Sequence, residues 1–483
     1  MLEKLMTKDR WDSLKTYSVV WLTALITFVG WVTGQTLVTF AVLAVEAGLL
    51  LALCEDLTHV LSPAWFFLYA RAPGVALSGE WLWLLALIPI VLGIVIHIIR
   101  FRPKFFRKEV FGKGFALSFI FAGVTFALGG VGMEGRSPAN IGIIVALGLG
   151  LPLAYLFLSA CINRKAGEPL LNYMAMLIYT LAFLLVLQGI VYFARLGSLE
   201  AVKQAINDKA MHLGWGVANM VAPTVGMAIP VALVYSLRKS KWAWVHLLIA
   251  LFMYAWVFVC TCRGAIIIEG IGLVVMMIYV LVKTPNRLQT WLTVGISLAI
   301  VAVLCGVFHK QLGKLFERII ELGFSDNGRF NLYKVGINRF KMRPAFGVGI
   351  DYDLGGFPKW AANKTTPYYF HSTPVQILAN LGIVGFIAHV FVYFWRYRTF
   401  FVGRRNLMAL ALFAGLLMYD AYGWIDRTYF LISGAILMNI MTLVGEKNVS
   451  YSEVKPLTMK LAEYIYIEIK DRPREPADLP SEE

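Results

Sequence analysis

Charged residues are scarce in this chain. Only 15% of its 483 residues are Asp, Glu, Lys or Arg, whereas 59% are hydrophobic. A soluble globular domain carries about 25% charged residues, because its surface has to be hydrated. The shortage excludes an ordinary series of soluble domains and indicates a polytopic membrane protein, in which each crossing needs a run of about 20 apolar residues.

Acidic residues, cysteines and internal repeats are also few. Asp and Glu number 29 against 44 Lys and Arg, which gives a net charge of +15. No internal repeat is visible, although many transporters are built from repeats. The odd number of cysteines predicts small core residues rather than a disulfide framework or a metal site. All five lie in or at the ends of apolar runs: Cys54, Cys161, Cys260, Cys262 and Cys305.

Apolar runs of membrane-span length alternate with short linkers from residue 100 onward. Five of these linkers are basic, and the positive-inside rule places them together in the cytoplasm. The linkers are 100–113, 163–165, 238–241, 283–287 and 396–405. The ten runs lie near 114–132, 139–160, 170–193, 215–236, 242–260, 264–282, 289–308, 373–395, 407–422 and 429–444.

The first hundred residues leave two topologies open. Clear spans are predicted at 17–33, 35–53 and 81–99, whereas 57–78 contains two prolines and an arginine. If 57–78 crosses, there are fourteen spans; if two of these segments form a re-entrant or interfacial element, there are twelve. The predicted fold is therefore an all-α polytopic membrane protein with about 12–14 transmembrane helices and both termini in the cytoplasm.

This topology divides the chain into four parts. Residues 1–308 form an N-terminal transmembrane bundle, 309–372 a large extracytoplasmic loop, and 373–444 the C-terminal transmembrane helices. Residues 445–483 are polar and predict a partly disordered cytoplasmic tail.

The loop 309–372 is the most unusual part of the chain. It holds ten Lys and Arg against five Asp and Glu, which indicates contact with anionic headgroups or with an anionic substrate. Helical spacing of apolar residues predicts an amphipathic helix over 310–322 and a second from Arg329 to about Met342, before Pro344. Arg329 in the first turn opposes the helix dipole, but together with the backbone N–H groups there it could hold an anion.

His371 is the candidate general base. Ser372 or Thr373 is expected to cap a helix that has Pro374 at its first position, so the imidazole would lie just outside the positive end of that helix. This position favours the neutral imidazole, whose lone pair can take a proton from a hydroxyl. A purely structural histidine is the alternative. Four carboxylates of the predicted outer face are rival bases: Asp351, Asp353, Asp420 and Asp426.

Arg263 is the third candidate, at a tight corner between two apolar runs. An ionisable residue at the edge of the hydrocarbon is a functional hypothesis by default, with headgroup contact or a pair with Glu269 as the alternative. The only Asp-x-Asp pair, Asp351 and Asp353, has no neighbouring histidine. We therefore predict no metal and no cofactor.

The order of several short motifs resembles the bacterial O-antigen ligase and O-antigen polymerase family of envelope glycan transferases. These motifs, within roughly 215–390, are Cys262-Arg-Gly264, Gly328-Arg329, Gly347-Val-Gly349, His371-Ser372 and Leu381-Gly-Ile-Val-Gly385. The resemblance implies a GT-C-like membrane fold with one large extracytoplasmic loop. It also implies transfer of a glycan from an undecaprenyl-diphosphate carrier to an acceptor hydroxyl without a metal.

Carried over by position, the resemblance assigns the loop histidine to His371 and two diphosphate-binding cations to Arg263 and Arg329. Gly382 and Gly385 match a glycine pair that is small enough for close helix packing. The chain departs from the family by having Ser372 after the histidine.

A further diphosphate-binding cation is less defined by the motifs. Where the family often has an arginine, this chain offers Lys209, with Arg195 as another choice. Lys209 completes the predicted diphosphate site.

The predicted function is an inverting, metal-independent glycan transfer on the outer face of the bacterial cytoplasmic membrane. Its partners would be the lipid-diphosphate-linked donor, a glycan or lipid-linked acceptor and membrane lipids, but no nucleic acid. Polymerase and ligase differ only in the acceptor, and the sequence leaves both open. A lipid-linked glycan flippase or another transporter is the alternative from a different class.

Overall fold

A computed structural model describes residues 8–72, 85–105, 115–131, 138–162, 168–208, 210–214, 216–307, 329–350, 370–426, 428 and 432–448. Helices α1 to α9 are Lys8–Thr33, Thr36–Leu53, Leu61–Phe66, Leu87–Phe101, Phe115–Val131, Pro138–Val145, Leu151–Cys161, Glu168–Ala194 and Leu199–Asn207. Helices α10 to α18 are Ala218–Gly226, Ala228–Tyr235, Ala243–Val259, Arg263–Lys283, Arg287–Val307, Arg329–Met342, Thr373–Val402, Leu407–Gly423 and Ile432–Lys447. A two-stranded hairpin, His212–Leu213 with Gly216–Val217, precedes α10.

The apolar runs form these helices because a backbone in hydrocarbon has to satisfy its own hydrogen bonds. Five helices of the described residues are by themselves long and apolar enough to cross a bilayer. The all-α polytopic fold predicted from the sequence is confirmed. Of the described cysteines, Cys161, Cys260 and Cys262 are buried as predicted, whereas Cys54 is half-buried.

The segment after α2 runs along the length of α8. It consists of a 3-10 turn at Leu57–Val60, α3, and a second 3-10 turn at Phe67–Tyr69. Near its start the His59 ring packs edge-on against Tyr173, and near its end the Tyr69 carbonyl accepts a hydrogen bond from Gln188. These α8 residues are fifteen positions apart, or about 22 Å along the helix axis.

This path favours the crossing alternative for 57–78. Ala72 N–H donates to Thr36 Oγ1 at the beginning of α2, so the segment also returns past the whole of that helix. The described part of this segment, 57–72, thus runs the length of two neighbouring helices, which is the path that a crossing requires.

Two of the basic linkers meet at one end of the bundle, as the positive-inside pattern predicts. The Asn286 amide donates to the Arg238 carbonyl at 3.2 Å, and Gln289 donates to the Lys241 carbonyl at 3.2 Å. The linker predicted at 396–405 is shorter than expected, because α16 continues to Val402. Arg396 was therefore wrongly assigned to a linker: it lies inside the helix and is 1% exposed.

The segment 309–372, predicted to be an extracytoplasmic loop, is described only in part. Helix α15 spans Arg329–Met342, which confirms the position of the second predicted loop helix and its end before Pro344. The first predicted amphipathic helix, 310–322, lies outside the described residues. Helix α15 packs closely against the start of α16 at Gly336. A Cβ on this glycine would lie 2.4 Å from Val375 and 3.1 Å from the Phe370 ring.

Helix α16 is interrupted at Gly382, and the chain after α15 fills the interruption. Gly382 has φ 66° and ψ −165°, a conformation essentially restricted to glycine. The carbonyls that the break releases, of Ala379 and Asn380, accept hydrogen bonds from Val348 N–H and Gly349 N–H, both at 2.9 Å.

The released N–H groups are satisfied by the same loop. Ile383 N–H donates to the Pro344 carbonyl at 2.8 Å, and Val384 N–H to the Ala345 carbonyl at 3.2 Å. The sequence interpretation of Gly382 as a helix-packing residue is thus incomplete, because its main role here is to break the helix. Backbone irregularity inside a membrane protein is tolerated where other protein groups satisfy it, as this loop does.

Candidate functional site

His371 lies at the bundle end where α16 begins, two residues before Thr373. Its backbone is left-handed, with φ 50°, a conformation that is uncommon outside glycine and in which asparagine, aspartate and histidine are the most frequent other residues. Its carbonyl accepts a hydrogen bond from the Tyr333 hydroxyl of α15 at 3.1 Å. The side chain is 33% exposed, so it is held in place and still reachable.

The residue before the histidine is fixed from inside α16. Gln376, 1% exposed, accepts a hydrogen bond from Phe370 N–H through Oε1 at 2.8 Å and donates through Nε2 to Asn380. The Phe370 ring is buried among Val335, Val375 and Ala379. A main-chain hydrogen bond and a buried ring therefore restrain the strained turn that presents His371.

Asp426 is the partner of the imidazole. Its Oδ1 lies 3.2 Å from His371 Nδ1, and its Oδ2 accepts a hydrogen bond from the Tyr422 hydroxyl at 2.7 Å. The Asp426 side chain is only 9% exposed. A carboxylate on Nδ1 fixes the ring orientation and favours the tautomer that has its lone pair on Nε2.

The main chain of Asp426 also organises the start of α16. Its carbonyl accepts hydrogen bonds from Thr373 N–H at 3.0 Å and from Thr373 Oγ1 at 3.1 Å. The Ser372 side chain makes no capping hydrogen bond, so the predicted side-chain cap is replaced by this carbonyl. The prediction that α16 starts directly after the histidine, with proline in its first turn, is confirmed.

The corner before α13 joins the same cluster. Thr261, with φ 49°, makes the tight turn, and Cys262 Sγ lies 3.2 Å from the Tyr422 hydroxyl. Arg263 is the first residue of α13 and is half-buried. Gly264 allows the approach of the neighbouring chain, since a Cβ there would stand 2.2 Å from Ile425 Cδ1.

Arg329 reaches the same segment from α15. Its guanidinium NH1 donates to the Ile425 carbonyl at 2.9 Å. Arg329 contacts Ile425, Gly264 lies close to Ile425, and His371 contacts the next residue, Asp426. The structure brings together three separate sequence motifs, which begin at residues 262, 328 and 371.

The arrangement suits a proton transfer beside an anion-binding site. In the tautomer that Asp426 favours, Nε2 carries the lone pair and can accept a proton from a hydroxyl, after which the carboxylate stabilises the imidazolium. The guanidinium of Arg329 has further N–H donors, which suit the oxygens of a phosphate. No group of three or more His, Cys, Asp or Glu able to hold a metal occurs among the residues that the structure describes.

Other sequence candidates lie elsewhere or outside the described residues. Asp420 is 3% exposed and bound by Arg396, and it accepts a hydrogen bond from Tyr397 at 2.6 Å. Arg195 donates to the Val32 carbonyl beside Trp31. Three predicted residues fall outside the described residues: Lys209, Asp351 and Asp353.

The alternative pairing of Arg263 with Glu269 is not formed. Glu269 is fully buried in α13, and neither of its carboxyl oxygens has a hydrogen-bond partner within the described part of the chain. It packs against Gly226 at the junction of α10 and α11, where a Cβ would stand 2.2 Å from its Cδ. Arg263 therefore does not use this carboxylate.

Sequence reasoning treated Asp426 as a rival base and missed Tyr422, Gln376 and Tyr333. The spacing of Tyr422 and Asp426 was the available signal, because residues four apart share one side of a helix end. Nothing local connects either of them with His371, since the carboxylate lies 55 positions further along the chain.

Comparison with known families agrees with the motifs. Residues 224–390 match the family model described as O-antigen ligase. No curated protein matches the chain. The matched segment contains Arg263, Arg329, His371 and the broken helix α16 up to residue 390. The chain therefore resembles the O-antigen ligase family over about a third of its length, 224–390, and the predicted resemblance is confirmed.

Proposed function

We propose that this protein transfers a glycan from a lipid-diphosphate carrier to an acceptor hydroxyl at the membrane surface, with His371 as the general base. The O-antigen ligase match supports glycan transfer of the ligase type. The single observation that carries the proposal is the His371 Nδ1 to Asp426 Oδ1 contact of 3.2 Å, beside Arg329. A buried carboxylate behind an accessible imidazole is an arrangement that suits general-base catalysis, because it orients the ring and stabilises the imidazolium.

The leaving group in this reaction is a diphosphate. Breaking the bond between the anomeric carbon and the diphosphate oxygen places negative charge on that oxygen, and Arg329 and Arg263 would stabilise it. Arginine suits this role better than lysine, because its planar guanidinium binds phosphate oxygens in pairs. Lys209 remains the proposed further cation of the diphosphate site.

The acceptor hydroxyl attacks the anomeric carbon from the opposite face. His371 Nε2 takes the hydroxyl proton as the new glycosidic bond forms, and Asp426 stabilises the resulting imidazolium. Attack opposite to the departing diphosphate inverts the anomeric configuration in one step. This chemistry uses arginine, histidine and aspartate only, so we propose that it proceeds without a metal or cofactor.

The proposed location follows from the positive-inside pattern of the linkers. The end of the bundle that carries His371 is opposite to the end at which the Arg238 and Asn286 linkers meet, and we assign it to the outer face of the bacterial cytoplasmic membrane. There the protein would meet its undecaprenyl-diphosphate-linked donor, membrane lipids and a glycan or lipid-linked acceptor.

In vitro transfer tests this function directly. Purified protein is incubated with a defined undecaprenyl-diphosphate glycan and with two acceptors in turn, a second lipid-linked glycan and a lipid-core oligosaccharide, and the products are read by mass spectrometry. We expect transfer to one acceptor, which separates ligase from polymerase, and no transfer by His371→Ala with donor binding retained.

Two results would reject the proposal. Near-normal turnover by a folded His371→Ala protein would remove the base. Movement of the intact donor across a vesicle bilayer, without any transfer product, would instead support the flippase alternative.

A further inference from the structure

Five basic side chains gather at the end of the bundle opposite to His371. They belong to the linkers 238–241 and 283–287, which are hydrogen-bonded to each other. Neither linker contains an Asp or Glu. We call these five residues the basic patch, and all of them are exposed: Arg238, Lys239, Lys241, Lys283 and Arg287.

Hydrogen bonds fix the backbone that carries the basic patch. The Asn286 side chain donates to the Arg238 carbonyl at 3.2 Å, and the Asn286 N–H donates to Thr284 Oγ1 at 3.2 Å. Thr284 Oγ1 also lies 2.9 Å from Thr290 Oγ1. In the other linker, Ser240 N–H donates to the Arg238 carbonyl at 2.8 Å. The two linkers are therefore held side by side, and five like charges are kept close together.

The described part of the chain supplies no carboxylate to neutralise these charges. None of the five forms a salt bridge with an acidic side chain among the described residues. Two of them lie against rings instead: Arg238 Cζ is 4.3 Å from the centre of the Tyr235 ring, and Lys241 Nζ is 5.6 Å from that of Trp242. Contact with a ring face leaves N–H groups that can donate to phosphate oxygens.

Helix α13 sets the depth of the basic patch in the bilayer. It begins at Arg263 and ends at Lys283, so it is about 30 Å long, which is the thickness of the hydrocarbon core. With Arg263 at one boundary, Lys283 lies at headgroup level in the opposite leaflet. Trp242 and Trp291, which are 60% and 56% exposed, lie close by in sequence, and exposed tryptophan is typical of this boundary.

Apolar side chains continue the surface from the basic patch into the hydrocarbon. Val282, Leu288 and Leu292 are all exposed, on the last turn of α13 and the first two turns of α14. An anionic phospholipid uses both parts of this surface, because its phosphate meets the cations while its acyl chains cover the apolar residues. A soluble acidic segment would use the cations alone.

We propose that the basic patch is a binding site for an anionic phospholipid of the leaflet on its side of the membrane. The guanidinium and ammonium groups donate to the headgroup phosphate, and the tryptophans border it. This inference is independent of the proposed function. Because Lys283 and Arg263 are the two ends of α13, a lipid held at the patch would also fix the depth of the helix that carries Arg263.

Lipid retention tests the proposal without any transfer assay. Full-length protein is placed in nanodiscs of phosphatidylcholine with increasing fractions of phosphatidylglycerol, and native mass spectrometry counts the lipids that stay bound. We expect the unmodified protein to retain phosphatidylglycerol in preference to phosphatidylcholine. Lys239→Gln/Lys241→Gln/Lys283→Gln should weaken phosphatidylglycerol binding about tenfold at low salt, and the difference should shrink as ionic strength rises.

Two further variants separate this site from general surface charge. Replacing the same three lysines by arginine should keep the preference, because the charge is retained. Lys104→Gln/Arg404→Gln/Arg405→Gln removes three exposed cations from other linkers at the same end of the bundle and should leave the preference within about twofold. Equal losses in the two Gln variants, or no preference in the unmodified protein, would overturn the proposal.

Photocrosslinking identifies what occupies the basic patch. A photoreactive phenylalanine analogue is placed at the exposed Ser240, the protein is irradiated in nanodiscs that contain phosphatidylglycerol, and the adduct is identified by mass. We expect a phospholipid adduct. The end of the chain, 471–483, holds five acidic residues and is another possible occupant. An adduct with that segment, or with another protein, in place of the lipid would show that our assignment is wrong.

Discussion

Asp426 Oδ1 and His371 Nδ1 lie 3.2 Å apart, although 55 residues separate them in the chain. Further hydrogen bonds fix the position of Asp426. Tyr422 donates to its second carboxylate oxygen, and its main-chain carbonyl accepts a hydrogen bond from Thr373, the first residue of α16. A carboxylate fixed in this way can keep an imidazole in one tautomer and one orientation.

Asp426→Asn should therefore impair the chemical step. The amide keeps the size of the side chain but cannot stabilise an imidazolium, so we expect transfer to fall by on the order of 10²-fold. Donor affinity should stay within about twofold, since the arginines bind the donor. Single-turnover transfer and donor titration measure the two quantities. A variant that loses donor affinity at normal turnover would show that Asp426 shapes the donor site instead.

Arg329 and Arg263 should be needed for departure of the diphosphate. Gln at either position removes a cation that would stabilise the leaving group, and transfer should fall by on the order of 10²-fold. Lys should restore only part of the activity, because an ammonium cannot pair with two phosphate oxygens at once. Arg404→Gln, at the exposed turn after α16, is a matched control. Full activity in Arg329→Gln would reduce that residue to a structural contact with Ile425.

Variants of Asp420 test whether this carboxylate has a structural or a catalytic role. Its pair with Arg396 is almost wholly buried, so Asp420→Asn leaves a charged guanidinium without its counterion and should lower stability by about 3 kcal/mol. Replacing both partners, Asp420→Leu with Arg396→Met, should recover much of that loss. Thermal unfolding in detergent provides the measurement. Normal stability with abolished transfer would return Asp420 to the list of candidate bases.

Gly382 should tolerate no side chain. Alanine there would need φ 66° and would place its Cβ 2.4 Å from the Ala345 carbonyl oxygen, so we expect a loss of about 2 kcal/mol or more. Gly295→Ala in α14 is the control, because none of the described atoms beyond its own stretch of helix lies within 4 Å of the Cβ position. It should be neutral or slightly stabilising. Equal unfolding temperatures for the two variants would contradict the interruption of α16.

The two ends of the bundle should differ in access to an impermeant thiol reagent. Asn338→Cys in α15 should react when the reagent is applied outside intact cells, whereas Ser240→Cys, between α11 and α12, should react only after the membrane is opened. Both positions are exposed in the structure, so burial does not explain a difference. The unmodified protein gives the background. The reverse pattern would place His371 on the cytoplasmic side.

Hydropathy and helix signals predict most of the architecture. Helix α15 ends where Pro344 requires it, and α16 starts just after His371, because both boundaries depend on neighbouring residues. The passage of 57–72 through the bundle could not be decided from the sequence, since short 3-10 turns and prolines are equally typical of re-entrant segments. Its contacts with Tyr173 and Gln188 show that residues 57–72 lie along α8.

The sequence predicts which residues belong to the candidate site, but not which of them contact one another. Arg263, Arg329 and His371 stand in recognisable motifs, each readable on its own. Asp426 and Asp420 look alike in sequence, since both are carboxylates near the end of one apolar run. Only the three-dimensional structure distinguishes them, because one faces the imidazole and the other faces Arg396.

The chain that fills the break of α16 fixes the position of α15 relative to His371. Helix α15 is attached at Tyr333 to the His371 carbonyl, and the chain just after its other end is bonded main chain to main chain with α16 through Val348 and Ile383. Helix α15 and the turn that carries His371 are therefore joined to each other and, through the same stretch of chain, to α16. A displacement of α15 would change the orientation of the imidazole, so a substitution far from His371 along α15 can alter the reaction without touching the base.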